Sequence, residues 1–346
     1  MCRTVDITDL RGASCDRAHN EDAVMRQLDL QVVHTALQWA RKGHSFWLCT
    51  VLSTYGSAPR TPGAMLAVRA DGQLIGSLSG GCVEEAFLES LADGELRAPT
   101  QIVLYGESDE ERQRLQLPCG GVLKVLVEHR APDKTWVDHL QGMYNALLGQ
   151  RRLVRELDLS SGAFVLMADD HGGEIAQLLN ERVRIRIGPV LRLILAGLSP
   201  VAEYCASFAR TIGCEVIACD PREEMLRRPP EGVQVHPVLP SEFIAAGHCH
   251  EATAVVALTH DPRIDDLALM EAVRSPAFYI GAMGSRQTSI RRAERLSRVG
   301  GLSSQQIARI HMPIGLDLGS KTPAEIALSV VADVLRVYHG KGRDAL

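Results

Sequence analysis

Leu193-Ile194-Leu195-Ala196-Gly197-Leu198-Ser199-Pro200-Val201-Ala202 reads as an apolar strand, a glycine turn and a helix start, and its reading decides the fold. A continuous apolar run has no polar face to turn to water, so it suits a strand of a parallel sheet covered on both sides. Residues 191–196, 215–219, 252–258 and 277–280 share that composition, with helical patterns between them. Strand and helix in alternation predict a Rossmann-like, doubly wound parallel sheet over residues 191–340. Its second strand runs into Asp220, about 20 residues beyond the glycine turn, where a dinucleotide fold holds a ribose hydroxyl.

The turn departs from the dinucleotide signature. Ser199 stands where a second glycine would let the backbone approach a pyrophosphate, and Pro200 removes one N–H from the helix start. Ser199 as N-cap with Pro200 at the first helical position accounts for both residues structurally. The pattern therefore gives the fold and leaves open whether Gly197 and Asp220 hold NAD(P), another nucleotide or a partner surface. Thr259-His260-Asp261 and Gly281-Ala282-Met283-Gly284-Ser285-Arg286 each follow a strand, at the carboxyl edge where such sheets bind ligands. His260, Gly284, Ser285 and Arg286 are accordingly candidate ligand residues. Gly315 to Lys321 falls one residue short of a phosphate-binding loop, and the capping box Thr322-Pro323-Ala324-Glu325 already explains Thr322, so ATP binding there is rejected.

Towards the N-terminus the rhythm differs. A helical pattern leads up to Gly43, strands are expected at 46–54, 64–70 and 73–78, and Asp71-Gly72 is a hairpin turn signal between the last two. A helix at 83–91 and strands at 101–105 and 122–128 complete an α+β domain over 21–130, preceded by a leader, 1–20, expected to be mobile. Residues 131–190 read as a connecting segment: a helix at 134–148, strands at 153–159 and 163–168, and the alternating Glu181-Arg182-Val183-Arg184-Ile185-Arg186, which suits an exposed strand. Either domain could own it.

Composition narrows the function. At roughly 100–200 residues per domain, 346 residues allow about two, and 46% apolar residues suffice for two cores. Thirty-seven basic against 42 acidic residues give −5 with no long run of either sign, so the electrostatic footprint of a nucleic-acid binder is absent. No apolar stretch is long enough to cross a membrane. Nine cysteines, odd in number and without a C-x-x-C pair, argue against a disulfide framework and a structural zinc site. Residues 1–19 lack the pattern of a secretory signal, and the expected address is a reducing cytoplasm.

Three segments of the first domain could carry chemistry. Ser53-Thr54-Tyr55-Gly56-Ser57-Ala58-Pro59-Arg60-Thr61-Pro62-Gly63 concentrates hydroxyls, turn residues and one arginine, so Ser57 and Arg60 could converge on an anion. Gly80-Gly81-Cys82-Val83-Glu84 opens a helix on two glycines, which offers free N–H groups to an anion and lowers the expected pKa of the Cys82 thiol. Leu117-Pro118-Cys119-Gly120-Gly121 sets a second cysteine beside residues without side chains, open to a bulky group. A thiolate in either place is a nucleophile or a soft metal ligand. The other seven cysteines read as core residues or lie in the leader.

Taken together, Gly56-Ser-Ala-Pro-Arg60, Gly80-Gly-Cys82-Val-Glu84, Cys119-Gly-Gly121, Thr259-His-Asp261, Tyr279-Ile-Gly-Ala-Met-Gly-Ser-Arg286 and Pro313-Ile-Gly-Leu-Asp-Leu-Gly319 resemble the motifs of the XdhC/CoxI accessory proteins. That family matures molybdenum hydroxylases of the xanthine dehydrogenase type. The resemblance spans about residues 22–338, in order, and departs from the family at Leu198-Ser199-Pro200. It implies a chaperone that binds the molybdenum cofactor (molybdopterin, in mononucleotide or dinucleotide form), protects it while a cysteine desulfurase helps install its sulfido ligand, and delivers it to an apo-hydroxylase. Cys82 and Cys119 would approach the metal; Ser57, Arg60, Gly80, Gly81, Gly120 and Gly121 would line the cofactor. A homodimer would enlarge the protected surface such a carrier needs. Two other classes compete: an NAD(P)- or nucleotide-dependent oxidoreductase, with His260 and Asp261 as acid and base, and a docking scaffold.

Overall fold

The computed structural model describes residues 28–54, 60–115, 122–169, 174–227 and 229–342. The chain forms two compact units, divided between Val190 and Leu191.

In the first unit, helix α1 (Leu28–Arg41) repeats apolar residues at helical spacing and buries Leu30, Val33, Leu37 and Ala40 along one face. The elements that follow are β1 (Phe46–Thr54), β2 (Met65–Arg69), β3 (Leu74–Gly76), α2 (Cys82–Ala92), β4 (Thr100–Tyr105), α3 (Asp109–Arg114) and β5 (Leu123–Arg130). Their strands make an antiparallel sheet of order β3-β2-β1-β5-β4. Asp71-Gly72 turns between β2 and β3 as expected, with Gly72 at φ +83° and Gln73 N–H donating to Asp71. The α3 helix has no apolar face; Ser108 caps it by accepting from the Glu111 N–H.

Residues 131–190 lie in this same unit. Asp133 caps α4 (Lys134–Leu147), and β6 (Leu153–Asp158), β7 (Phe164–Ala168), β8 (Ala176–Leu179) and β9 (Arg182–Ile187) form a second antiparallel sheet of order β7-β6-β9-β8. The arginine-rich β9 is therefore an interior strand paired on both sides, where alternation alone suggested an exposed one. Val183, Ile185 and Ile187 are its buried face.

A charged cluster joins the two sheets. Glu128 of β5 and Arg155 of β6 are both buried and meet at 2.5 Å, Arg130 reaches Glu128 at 2.9 Å, and Arg155 Nε donates to His139 Nε2 of α4 at 2.8 Å. Burial, then the charges of Arg155 and Arg130, push His139 down to about 2 from its ordinary 6.5. Above 6.5 neither the folded nor the unfolded chain protonates this ring; below it only the unfolded chain does, so folding weakens as pH falls. The slope is about 1.4 kcal/mol per pH unit, or about 2 kcal/mol at pH 5. His139→Gln keeps an acceptor for Arg155 without titrating. Urea melts at pH 7.5 and 5 are expected to show that variant losing less stability on acidification than the wild type, by about 2 kcal/mol; equal losses would refute the assignment.

The second unit contains β10 (Arg192–Ala196), α5 (Pro200–Thr211), β11 (Glu215–Cys219), α6 (Glu223–Leu226), β12 (Gln234–His236), α7 (Pro240–Ala245), β13 (Thr253–Ala257), α8 (Pro262–Ala272), β14 (Tyr279–Ala282), α9 (Arg286–Arg298), α10 (Ser304–Ala308), β15 (Ile310–His311) and α11 (Pro323–Tyr338). All six strands are parallel, in the order β12-β11-β10-β13-β14-β15. Counted from the first strand this is 3-2-1-4-5-6, the doubly wound dinucleotide-fold order, with the switch point between β10 and β13. Alternate residues of β10 enter two cores, Leu193 and Leu195 on one face of the sheet, Ile194 and Ala196 on the other. Burial also accounts for the cysteines of this unit: it pushes the thiols of Cys205 in α5, Cys214 before β11 and Cys219 at the end of β11 up to about 12, so they are inert core groups. Thr322 and Glu325 form the expected capping box at the start of α11. Among the described residues no helix is long and apolar enough to cross a membrane.

Candidate functional site

Cys82 is the first residue of α2, half-buried, and packs against the apolar core of the first unit. The residue that shapes its surroundings is Glu84. One carboxylate oxygen accepts from Ser77 Oγ at 2.6 Å and from the amides of Leu78, Ser79 and Gly80 at 2.7, 3.1 and 3.1 Å; the other accepts from Ser79 Oγ at 2.8 Å and the Gly81 amide at 2.9 Å. Burial pushes this carboxyl up, but the hydrogen bonds from Ser77, Ser79 and Gly80 outweigh it and bring it to about 2. The glycine-rich helix start, read from sequence as open to an external anion, thus carries its own. Gly80 holds φ +93°, and a methyl group built on Gly80 or Gly81 would meet nothing within 4 Å. The glycines therefore leave open space over their backbone, next to Cys82.

Arg60 is likewise engaged. Its guanidinium bonds Asp29 of α1 at 2.8 Å and the Ser77 carbonyl at 3.3 Å, tying its segment to α1 and to the Cys82 loop. Asp29 also accepts from the Met65 amide at 3.0 Å. Ser57, Cys119, Gly120 and Gly121 lie outside the described residues. Their flanks are placed by the sheet: Thr54, ending β1, pairs with Leu123, opening β5, and Leu123 pairs on its other side with Tyr105. Leu115 and Leu123, on either side of the second cysteine motif, belong to the buried cluster against which Cys82 packs. The backbone thus brings the ends of both loops to one end of the sheet. Tyr105 was not singled out from sequence, because a tyrosine ending a strand carries no signal. Its hydroxyl is buried without a hydrogen-bond partner among the described residues. No group of three or more His, Cys, Asp or Glu side chains gathers as a metal site among the described residues.

In the second unit the switch-point crevice is internally satisfied. Asp220 is fully buried; its Oδ2 accepts from the Leu198 amide and from Arg222, both at 2.6 Å, and its Oδ1 accepts from the amide and Nε of Arg222, both at 2.9 Å. Burial pushes the carboxyl up, and the Arg222 and Leu198 bonds more than reverse it. A second Arg222 contact, to the Leu198 carbonyl at 2.9 Å, closes the arrangement over the glycine turn. Gly197 has φ +93°, and a Cβ there would fall 1.9 Å from Thr259 Cγ2, so this glycine serves close packing between strand ends. Ser199 caps α5 by accepting from Ala202, with Pro200 at the first turn.

On the next strand end, Asp265 accepts from Thr259 Oγ1 at 2.6 Å, the His260 amide at 3.1 Å and Arg292 at 3.0 Å, holding His260 at φ +64°. Asp261 caps α8 and pairs with Arg263; hydrogen bonds from Arg263 lower its carboxyl to about 2, which removes it as a neutral-pH proton donor. Gly284, Ser285 and Arg286 follow β14, with Ser285 capping α9.

Two family models match this sequence: the XdhC Rossmann domain over residues 193–334, and the XdhC and CoxI family over residues 39–105. The molybdenum cofactor insertion chaperone PaoD of Escherichia coli is 27% identical over 321 residues, spanning 92% of this chain and 91% of its own. A Bacillus subtilis protein, named as a probable xanthine dehydrogenase component, is 26% identical, over 84% of this chain and 92% of its own. A solved Bacillus halodurans protein described as a xanthine dehydrogenase shares the fold, with a TM-score of 0.68 at 21% identity, covering 92% of this chain and 98% of that one. The Rossmann match coincides with the six-stranded parallel sheet, the other runs from the last turn of α1 through β4, and together they account for more than half of the sequence: the chain belongs to the XdhC and CoxI family.

Proposed function

We propose that this protein is a maturation factor for a molybdenum hydroxylase of the xanthine dehydrogenase type, holding the molybdenum cofactor as cargo before delivery. The observation that carries the reading is the sheet end at Cys82, where a half-buried thiol stands beside open glycine backbone and the strand pairing Thr54–Leu123–Tyr105 gathers the flanks of the other two family motifs. PaoD, similar over nearly the whole chain, is named as a molybdenum cofactor insertion chaperone.

The donor set fits the metal end of such a cargo better than its anionic end. Cys82, with Cys119 as its companion, supplies soft sulfur to molybdenum. Arg60, Gly80 and Gly81 are committed to Asp29 and Glu84, so in this reading they order the loop and the phosphate is held elsewhere. A cysteine desulfurase and an apo-hydroxylase are the partners this role requires. In the oxidoreductase alternative Asp261, held ionised by Arg263, has no proton to give and could serve only as the base of the pair.

The test is the molybdenum and pterin that co-purify with the protein. Cys82→Ser and Cys119→Ser are each expected to reduce retained molybdenum at least tenfold at unchanged melting temperature. Undiminished retention in both would overturn the proposal.

A further inference from the structure

The second unit holds a cavity of about 580 Å³ outside the carboxyl ends of β13, β14 and β15, with His260, Ser285, Arg286, Ile314, Asp317 and Ile326 in its lining. We propose that this cavity, and not the crevice at Gly197 and Asp220, is the ligand site of the Rossmann unit, and that it takes a nucleoside monophosphate group. The inference stands on the cavity and does not depend on the role given to Cys82.

Volume comes first: the cavity lies within the roughly 300–1,000 Å³ usual for small-ligand pockets. Charge comes second. Around this edge of the sheet Arg222 pairs with Asp220, Arg263 with Asp261, Arg292 with Asp265 and Asp266, and Arg295 with Asp266. Arg286, which lines the cavity, has no such carboxylate among the described residues, and neither does Asp317 an arginine or lysine. One unpaired cation suits a phosphate, and one unpaired carboxylate suits ribose hydroxyls or an exocyclic amine. His260 adds an imidazole whose backbone Asp265 fixes. Ile314 and Ile326 give a flat ring an apolar wall.

The wall is also preformed. The Ile314 amide donates to the Ala282 carbonyl of β14 at 3.1 Å, and the Leu316 amide to the Ser329 carbonyl of α11 at 3.2 Å. Gly315 (φ +88°) lies so close to α11 that a Cβ would fall 2.6 Å from Ser329 Oγ. A ligand would enter a site already shaped, with little ordering cost. At the switch point the same ligand would have to displace the Arg222 guanidinium from three hydrogen bonds.

Calorimetric titration of the full chain with CMP, GMP and AMP tests this. At least one is expected to bind with Kd below about 1 mM, and Arg286→Ala, at an exposed position, to weaken it roughly tenfold with the melting temperature unchanged. Arg222→Ala is expected to leave the affinity within about twofold. No binding by any nucleotide, equal competition by inorganic phosphate, or a loss at Arg222→Ala matching that at Arg286→Ala would each overturn the proposal. Competition by a molybdopterin dinucleotide would identify the cofactor as the source of the nucleotide; nucleotide binding without that competition would identify a free nucleotide. Molybdenum retention by the Cys82 and Cys119 variants is read separately, so either proposal can fail alone.

Discussion

Glu84→Ala is expected to lose the ordered loop before α2 and, with it, the cargo. Six donors converge on this carboxylate, four of them backbone amides of residues 78–81. Hydrogen bonds to an ionised group contribute about 1.5–3 kcal/mol each when both partners are shielded. Water replaces several here, because Gly80 and Gly81 are exposed, so a net loss of about 3 kcal/mol is the reasonable magnitude. Hydrogen exchange reads the effect directly: the amides of Leu78, Ser79, Gly80 and Gly81 should exchange at least tenfold faster, and retained molybdenum should fall to the level of Cys82→Ser. Glu84→Gln is the informative companion. Its amide nitrogen turns a donor towards donors, so it should recover only part of the protection. Unchanged exchange in Glu84→Ala would show that the loop is held by other means.

Arg155→Ala should be the most destabilising single change in the first unit, costing about 3–5 kcal/mol in urea melts. It leaves the buried Glu128 with Arg130 as its one remaining cation and takes from His139 the donor at its Nε2. Removing both buried charges should behave differently. Glu128→Gln with Arg155→Met removes the two fully buried charges, and the double variant should recover at least half of the loss, because the remaining Arg130 keeps its bonds to the Gly162 carbonyl and Thr100 Oγ1. A double variant as unstable as Arg155→Ala would mean that the cluster's geometry, and not its charge balance, supports the packing of the sheets.

The apolar parallel strands and the capped helices were legible because their patterns are local. Ser199-Pro200 and Thr322-Pro323-Ala324-Glu325 declare helix starts, and both are N-caps in the structure. Strands β12 and β15 were missed because three and two residues carry no period. The buried pair was illegible for a different reason: Glu128 and Arg155 are polar letters inside strands, and their partnership links residues 27 apart in sequence. The helix start at Cys82 was read as open although a signal was present, since a glutamate three residues beyond Gly81 is the acid of a capping box. Asp220 was located correctly at the end of its strand, but Arg222, two residues later, was not weighed as the group that would engage it.

Asp220 also bears on the company this protein keeps in a cell. Redox dinucleotides are the standing competitors for a doubly wound sheet, and a free acid at the end of the second strand is how such a sheet selects them. Here that acid faces inward, with both oxygens engaged by Leu198 and Arg222. Any heat from NAD or NADP is accordingly expected to be lost in Arg286→Ala and kept in Arg222→Ala. In the role proposed above, a recognition group turned away from these abundant metabolites would favour the cargo over them.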